Sequence, residues 1–424
     1  MPLNIGVIGL SHLGTCYSIA YATKGADVIA YDFDEDTRNE RISGYFDPAE
    51  PGVMAFLQKP SNNFRITDNI NELGVCDLLV YAKDTNFELE KDLALSLISD
   101  EILLITASIK EGIPLVIMSQ VPPGFTRNLG DLRRNTVYQV ETLIFGKGLN
   151  RALQPERIIF GKVNEGAVLP DVVRKIAELF NCDILEMSYE SAELTKIAIN
   201  IVLSANITAA NSLAELANLI GGNWSHIEGA LRLDQRIGES AYISPGLGLG
   251  GANLQRDLDV ATSLAEKVGV NAIFMKSITE HSLHMQNWLM REIIKIRQNG
   301  EKLETVTILG LAYKPGTQST HGSAGYQLLE IFDSGVKIFV HDPVVRLPIT
   351  KALHNTLQIN DPKVHLHESN LVILATAWPE YQSIIEEFLR SGPNVIILDP
   401  YRIVHASSIV EDRSRLIQLG IHEK

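Results

Sequence analysis

Lys196 and Asn200 stand four residues apart in an uninterrupted helical stretch. An ammonium and an amide therefore project from one helix face and can reach one ligand oxygen. Leu194, Ile197 and Ala198 flank the lysine. They desolvate it in part, the condition under which an ammonium exchanges a proton most readily. A lysine that merely snorkels along an amphipathic helix has the same flanks. The partner Asn200 and the downstream Asn211-Ser212 favour chemistry. Further on, the run Gly248-Leu249-Gly250-Gly251-Ala252-Asn253-Leu254-Gln255-Arg256-Asp257 joins glycines to a carboxylate. Glycines at 248, 250 and 251 let backbone approach a ligand closely. Asp257 can accept a proton or orient a water.

A second chemistry is written near the start. Gly9-Leu10-Ser11-His12-Leu13-Gly14 follows the apolar run Asn4 to Ile8 and precedes a helical stretch. The dinucleotide fingerprint is Gly-x-Gly-x-x-Gly, so Ser11 replaces its middle glycine and weakens the close approach to a pyrophosphate. Asp32 closes the next strand, where a carboxylate accepts from ribose hydroxyls and repels a 2′-phosphate. The expected cofactor is NAD, held by Gly9, Ser11, His12, Leu13, Gly14 and Asp32. A Rossmann-like sheet that binds no nucleotide is the alternative.

The elements that must position these groups follow from periodicity. Asn4 to Leu10 and Thr305 to Ala312 each read as a buried strand ending in a glycine turn. Each is followed by a helical stretch and a strand ending in aspartate, Asp32 and Asp342. Further strands are expected at Asp77 to Ala82, Ile102 to Ala107 and Leu115 to Ser119, then at Leu371 to Ala375 and Val395 to Asp399. A helix is expected from Tyr189 to Ile220 and another from about Ala272 to about Gln298. The fold class is α/β, with two Rossmann-type doubly wound parallel sheets joined by long central helices. The expected domains are 1–188, 189–298 and 299–424.

The 424 residues carry a net charge of −14, which argues against nucleic acid or an anionic membrane as partner. Three scattered cysteines, Cys16, Cys76 and Cys182, offer no metal-ligand spacing and suit a reducing cytoplasm. Met1-Pro2-Leu3-Asn4 leads straight into a strand, so no signal peptide is expected, nor any apolar run long enough to span a bilayer.

The glycine-rich run resembles the active-site loop of the UDP-glucose/GDP-mannose dehydrogenase family, Gly-Phe-Gly-Gly-Ser-Cys-Phe-Pro-Lys-Asp, with Asn253 at the catalytic cysteine and Arg256 at the lysine. Glu193-Leu194-Thr195-Lys196 with Asn200 matches that family's Glu-Leu-x-Lys-x-x-x-Asn. Asp234-Gln235-Arg236-Ile237-Gly238 matches Asp-x-Arg-Ile-Gly. Gln139-Val140-Glu141-Thr142-Leu143-Ile144-Phe145-Gly146 resembles Asn-Pro-Glu-Phe-Leu-Arg-Glu-Gly, which puts Glu141 at a catalytic glutamate and Phe145 at a lost carboxylate. Glu50-Pro51-Gly52-Val53 looks like Glu-Pro-Gly-Leu. Lys83-Asp84-Thr85-Asn86 keeps only the threonine of Val-Pro-Thr-Pro. Ser119-Gln120-Val121-Pro122-Pro123-Gly124-Phe125-Thr126 is similar to Ser-Thr-Val-Pro-Pro-Gly-Thr-Thr. Tyr313-Lys314-Pro315-Gly316-Thr317 resembles Phe-Lys-Pro-x-Thr, with His321 at a later arginine.

The resemblance implies a nucleotide-sugar substrate, a homodimer built on the central helices, and catalysis by Lys196, Asn200, Asp257 and Glu141, with Asn253 at the cysteine position. It adds Thr85 and Gln120 to the cofactor site and gives Arg236, Gly248, Gly250, Gly251 and Lys314 to the substrate. An amide is no nucleophile, so no thioester can form at Asn253. The expected reaction is a two-electron oxidation of a nucleotide-sugar alcohol. Four-electron oxidation to a uronate through a hydrated aldehyde, or a noncatalytic binding homologue, are the alternatives.

Overall fold

The apolar runs that open each half of the chain become central strands of two separate sheets. In the computed structural model, residues 2–47, 50–85, 91–109, 112–130, 135–333, 335–348, 355–409 and 413–422 are described; Asn86 lies outside them. The chain forms two units, Met1–Ile199 and Asn200–Lys424, each with its own sheet.

The first unit holds eight strands: β1 (Asn4–Ile8), β2 (Asp27–Tyr31), β3 (Phe64–Ile66), β4 (Leu78–Tyr81), β5 (Leu115–Ile117), β6 (Thr136–Gln139), β7 (Arg157–Lys162) and β8 (Asp183–Ser188). Their order is β3-β2-β1-β4-β5-β6-β7-β8, parallel except where β6 meets β7. Both faces are covered, as an all-apolar strand requires. Ile5, Val7, Val28 and Ala30 join one core cluster, while Ile8, Ile29 and Tyr31 join the cluster on the opposite face.

The second unit holds β9 (Thr305–Leu309), β10 (Lys337–His341), β11 (Thr356–Gln358), β12 (Leu371–Leu374), β13 (Ile396–Asp399) and β14 (Arg415–Gln418). They are parallel throughout, in the order β11-β10-β9-β12-β13-β14. Helix Tyr189–Leu219 carries the chain from one unit into the other.

Three expectations need correction. Ile102 to Ala107 is not a strand; it lies inside helix Lys91–Ser108. Its buried residues Ala94, Ile98, Ile102 and Ile105 fall three or four apart, one helix face, while Leu97, Leu103 and Leu104 are exposed. The β-branched run masked that spacing. The stretch from Ala272 to Gln298 is two helices, Ile273–Gln286 and Trp288–Gln298. Asn287 separates them, and its side-chain amide donates to Leu283 O at 3.0 Å, the local competition that makes asparagine a poor helix interior residue. Helix Tyr189–Leu219 is, by length and composition, apolar enough to cross a bilayer, although no such run was expected. Its first turns nevertheless bury Glu193 and Lys196 against polar protein partners, as a helix packed on a sheet domain does.

Candidate functional site

In the first unit, β1 ends in Gly9, whose φ of +100° turns the chain into helix His12–Thr23. That helix packs closely on the strand because residue 14 is glycine: a Cβ there would lie 1.8 Å from Gly9 O. Ser11 stands at the N-cap, yet its hydroxyl makes no capping bond to the helix. Ser11 Oγ instead accepts from Asp84 N–H at 2.9 Å, and Leu13 N–H donates to Asp84 Oδ2 at 3.1 Å. The His12 ring is buried, with Nε2 2.9 Å from Glu50 Oε2 and its centroid 4.4 Å from that of Phe145. Thr85 donates its hydroxyl proton to Gln120 O at 2.9 Å.

Asp32 closes β2 and is buried, accepting from Leu10 N–H at 2.6 Å and Asp34 N–H at 2.9 Å. The second sheet repeats the device with a different outcome. Gly310 takes φ +109° after β9, and Asp342 follows β10. Asp342 accepts from the N–H groups of Leu311, Ala312, Val344 and Val345 at 2.7 to 2.9 Å, and from Trp378 Nε1 at 3.3 Å. A carboxylate offers about four lone-pair sites, so Asp342 is saturated, while Asp32, which accepts from two N–H groups among the described residues, retains capacity for ribose hydroxyls. The glycine turn, the helix N-terminus and the unsaturated carboxylate of the first unit fit a dinucleotide. Gly9, Ser11, His12, Leu13, Gly14 and Asp32 would hold it.

In the same unit, Lys196 Nζ lies 2.6 Å from Glu141 Oε1, and both side chains are largely buried. Glu141 Oε2 also accepts from Leu143 N–H at 2.9 Å, which fixes the carboxylate's orientation. Three residues before the lysine, buried Glu193 accepts from Gly124 N–H at 2.5 Å and Thr126 N–H at 2.8 Å. Burial raises the Glu193 carboxyl above its ordinary value against the opposing pull of those bonds. This glutamate ties the long helix to the turn after β5.

In the second unit, Asn200 Nδ2 donates to Asp257 Oδ2 at 2.5 Å, and Arg256 Nε lies 3.0 Å from Asp257 Oδ1. Asp257 is 1% exposed. Asn253 sits in the first turn of helix Ala252–Lys267, exposed, with Arg256 Nη1 3.5 Å from its Oδ1. Near this group opens a cleft of about 830 Å³, lined by the 246–250 backbone, Tyr242, Tyr313, Lys314, Tyr401 and Arg402. Its charged lining is Lys314, Arg232, Arg402 and Glu228, an excess of cations that suits a diphosphate. Burial lowers the Lys314 ammonium below the ordinary lysine value. Glu228 is held low on balance: burial raises it, but the Ser244 hydroxyl and the guanidinium groups of Arg232 and Arg402 outweigh that.

The glycines of this loop have a packing role that sequence does not reveal. A Cβ on Gly250 or Gly251 would lie 2.7 to 2.8 Å from the Tyr313 ring, and one on Gly248 2.5 Å from Ser282 O. Gly248 and Gly250 also line the cleft. Arg236 is elsewhere: its side chain is 89% exposed and pairs with Asp234 at 2.6 Å. Sequence reasoning met Asp84 and Glu193 only as motif members without a role, and missed Arg232, Glu228 and Arg402. Only the four-residue spacing of Glu228 and Arg232 was legible as an ion pair.

Residues 3–181, 190–282 and 307–406 match, in turn, the NAD binding, central and UDP binding domains of the UDP-glucose/GDP-mannose dehydrogenase family. Similar proteins include the UDP-glucose 6-dehydrogenase of Rickettsia conorii, 26% identical with 90% of this chain and 91% of the relative covered. The UDP-N-acetyl-D-mannosamine dehydrogenase of Pyrococcus horikoshii is also 26% identical, with 95% and 96% covered. Among solved structures, a UDP-glucose dehydrogenase from Pyrobaculum islandicum superposes with a TM-score of 0.84 at 23% identity, covering 100% of this chain and 98% of the other.

Proposed function

The chain belongs to the UDP-glucose/GDP-mannose dehydrogenase family, and we propose that it oxidises one alcohol of a nucleotide sugar by two electrons, without a covalent intermediate. Bound NAD supplies the hydride acceptor. Lys196 first passes its own proton to the Glu141 carboxylate it is paired with and then, as the neutral amine, takes the alcohol proton, while Asn200 stabilises the oxygen and Asp257 orients Asn200. The nucleotide diphosphate is assigned to the cationic cleft beside Lys314. Arg236, exposed on its own subunit, is assigned to the neighbour's substrate in a cytoplasmic homodimer. Exposed Val202, Leu213 and Leu216 on the long helix support that assembly.

The observation that carries the two-electron reading is Asn253 on the first turn of its helix, with no cysteine anywhere in 200–424. The three thiols of the chain are poor substitutes. Burial pushes Cys16 far up, takes Cys76 to about 11 and raises Cys182, so none is a ready thiolate. A panel of nucleotide sugars with NAD, read by NADH absorbance and mass spectrometry, tests the reading. One NADH per sugar with an aldehyde or ketone product is expected. Two NADH with a uronate product overturns it, as does intact ligand binding with no NADH.

A further inference from the structure

The first turn of helix His12–Thr23 already holds an anion of the protein's own. Leu13 N–H donates to the Asp84 carboxylate at 3.1 Å, while Asp84 N–H donates to Ser11 Oγ at 2.9 Å. Ser11 Oγ is also 3.4 Å from Ala82 O. The bonds are reciprocal: the side chain of 84 takes the backbone near 13, and the side chain of 11 takes the backbone of 84. Both residues are departures noted in the sequence, Ser11 at the middle glycine of the fingerprint and Asp84 in Lys83-Asp84-Thr85. They meet in space.

The backbone beneath Asp84 is anchored on both sides. Ser119 donates its hydroxyl proton to Lys83 O at 2.6 Å, and Thr85 donates to Gln120 O. The Asp84 residue reaches the surface, while its carboxyl sits part-buried against Leu13 N–H. Desolvation raises that carboxyl above the ordinary carboxylate value, and the Leu13 bond and His12 pull it back; turning the side chain outward relieves the desolvation. The N–H groups of this turn are the ones a dinucleotide pyrophosphate takes. A carboxylate and a pyrophosphate cannot share them without strong like-charge repulsion.

We propose that Asp84 is a built-in competitor for the cofactor's pyrophosphate: the Ser11–Asp84 clasp closes the phosphate site of the free protein, and NAD must displace the carboxylate to bind. The clasp acts on the phosphates alone, so adenosine is indifferent to it and ADP-ribose is not.

Calorimetry on the purified full chain with NAD, ADP-ribose and adenosine tests this. Asp84→Ala is expected to tighten NAD and ADP-ribose about tenfold, the equivalent of one charge-assisted hydrogen bond no longer lost on binding. Adenosine affinity stays unchanged. Asp84→Asn keeps the size and an acceptor for Leu13 N–H but removes the charge, and is expected to tighten in the same direction. Ser11→Ala removes the hydroxyl half of the clasp but keeps the Cβ at the fingerprint position, and is an independent variant should a change at 84 disturb the loop; it too tightens ADP-ribose. The proposal is overturned if folded Asp84→Ala and Ser11→Ala proteins bind ADP-ribose no more tightly than the wild type, or if adenosine tightens equally.

Discussion

Lys196 and Glu141 form an ion pair of 2.6 Å with side chains only 10% and 14% exposed. The carboxylate is oriented in turn by Leu143 N–H. Replacing Lys196 by alanine removes the proposed proton acceptor and is expected to lower kcat by about 10²–10⁴-fold, with a smaller effect on KM. Glu141→Gln keeps the shape but not the charge and is expected to fall between. Steady-state NADH production checks both. A Lys196→Ala protein with wild-type kcat would remove the lysine from the mechanism.

Asp257 is held by Asn200 and Arg256 in a buried cluster. Asp257→Ala leaves a half-buried guanidinium facing a cavity, with an expected loss of about 3 kcal/mol of stability. Asp257→Asn retains volume and costs less. If Asp257 also serves the reaction, Asp257→Asn lowers kcat by more than its change in melting temperature accounts for. Equal losses of activity in proportion to unfolding would make it structural only.

The depressed Lys314 ammonium gives the cleft a pH signature. A folded pKa below the usual lysine value, about 10.4, means that the charge is fully present well below the folded pKa and lost as pH rises through it. Affinity for a nucleoside diphosphate is therefore expected to start falling at lower pH than an exposed lysine dictates. The same shift makes folding stability rise with pH between the folded and unfolded pKa values, because the unfolded chain binds more protons there. Lys314→Arg, which stays charged, flattens the affinity profile. Calorimetric titrations of UDP from pH 7 to 10 on both proteins isolate the lysine; matching profiles would exclude it.

Glycine positions separate packing from propensity. Gly14→Ala places a methyl 1.8 Å from Gly9 O, so the helix must shift away from β1; a loss of about 3 kcal/mol, with cofactor binding, is expected. Gly229 lies inside helix Trp224–Leu233 with open space around it and no positive φ. Gly229→Ala is expected to stabilise by about 0.5–1 kcal/mol through helix propensity. Thermal melts distinguish the two, and a neutral Gly14→Ala would contradict the close packing.

The duplicated strand-glycine-helix-strand-aspartate pattern was legible because parallel central strands are apolar on both faces and the glycine turns punctuate them. The edge strands β3, β11 and β14, only three or four residues long, carry too short a pattern to stand out. That Lys196 and Asn200 share one helix, and that Asp32 follows β2, was legible because their spacing is local. What could not be read is pairing across distance. Asp84 reaches Leu13 over 71 residues, Glu193 reaches Thr126 over 67, and Phe145 packs at a tilt against His12. Nor did the repeat of aspartates show that Asp342 is saturated and Asp32 is not, since the difference lies in neighbouring N–H groups.

Asn253 offers the most direct test of what the lost thiol means. It is exposed in the first turn of a 16-residue helix, and the Arg256 guanidinium lies within 3.5 Å of its amide oxygen. A helix N-terminus and an adjacent guanidinium both favour a thiolate. In Asn253→Cys the new thiol is therefore expected to titrate below the roughly 8.5 of a free cysteine. The rate of iodoacetamide labelling against pH reads this directly, with peptide mapping to separate it from Cys182. Adding Arg256→Ala should move the midpoint upward. Given a two-electron parent reaction, the activated thiol can hold the aldehyde product as a thiohemiacetal, and a second NADH per sugar is then expected. A labelling midpoint at or above 8.5 would show that the loop no longer activates a thiol. In that case the change at 253 is not the only loss, and the Phe145 position, where a carboxylate is absent, becomes the next to restore.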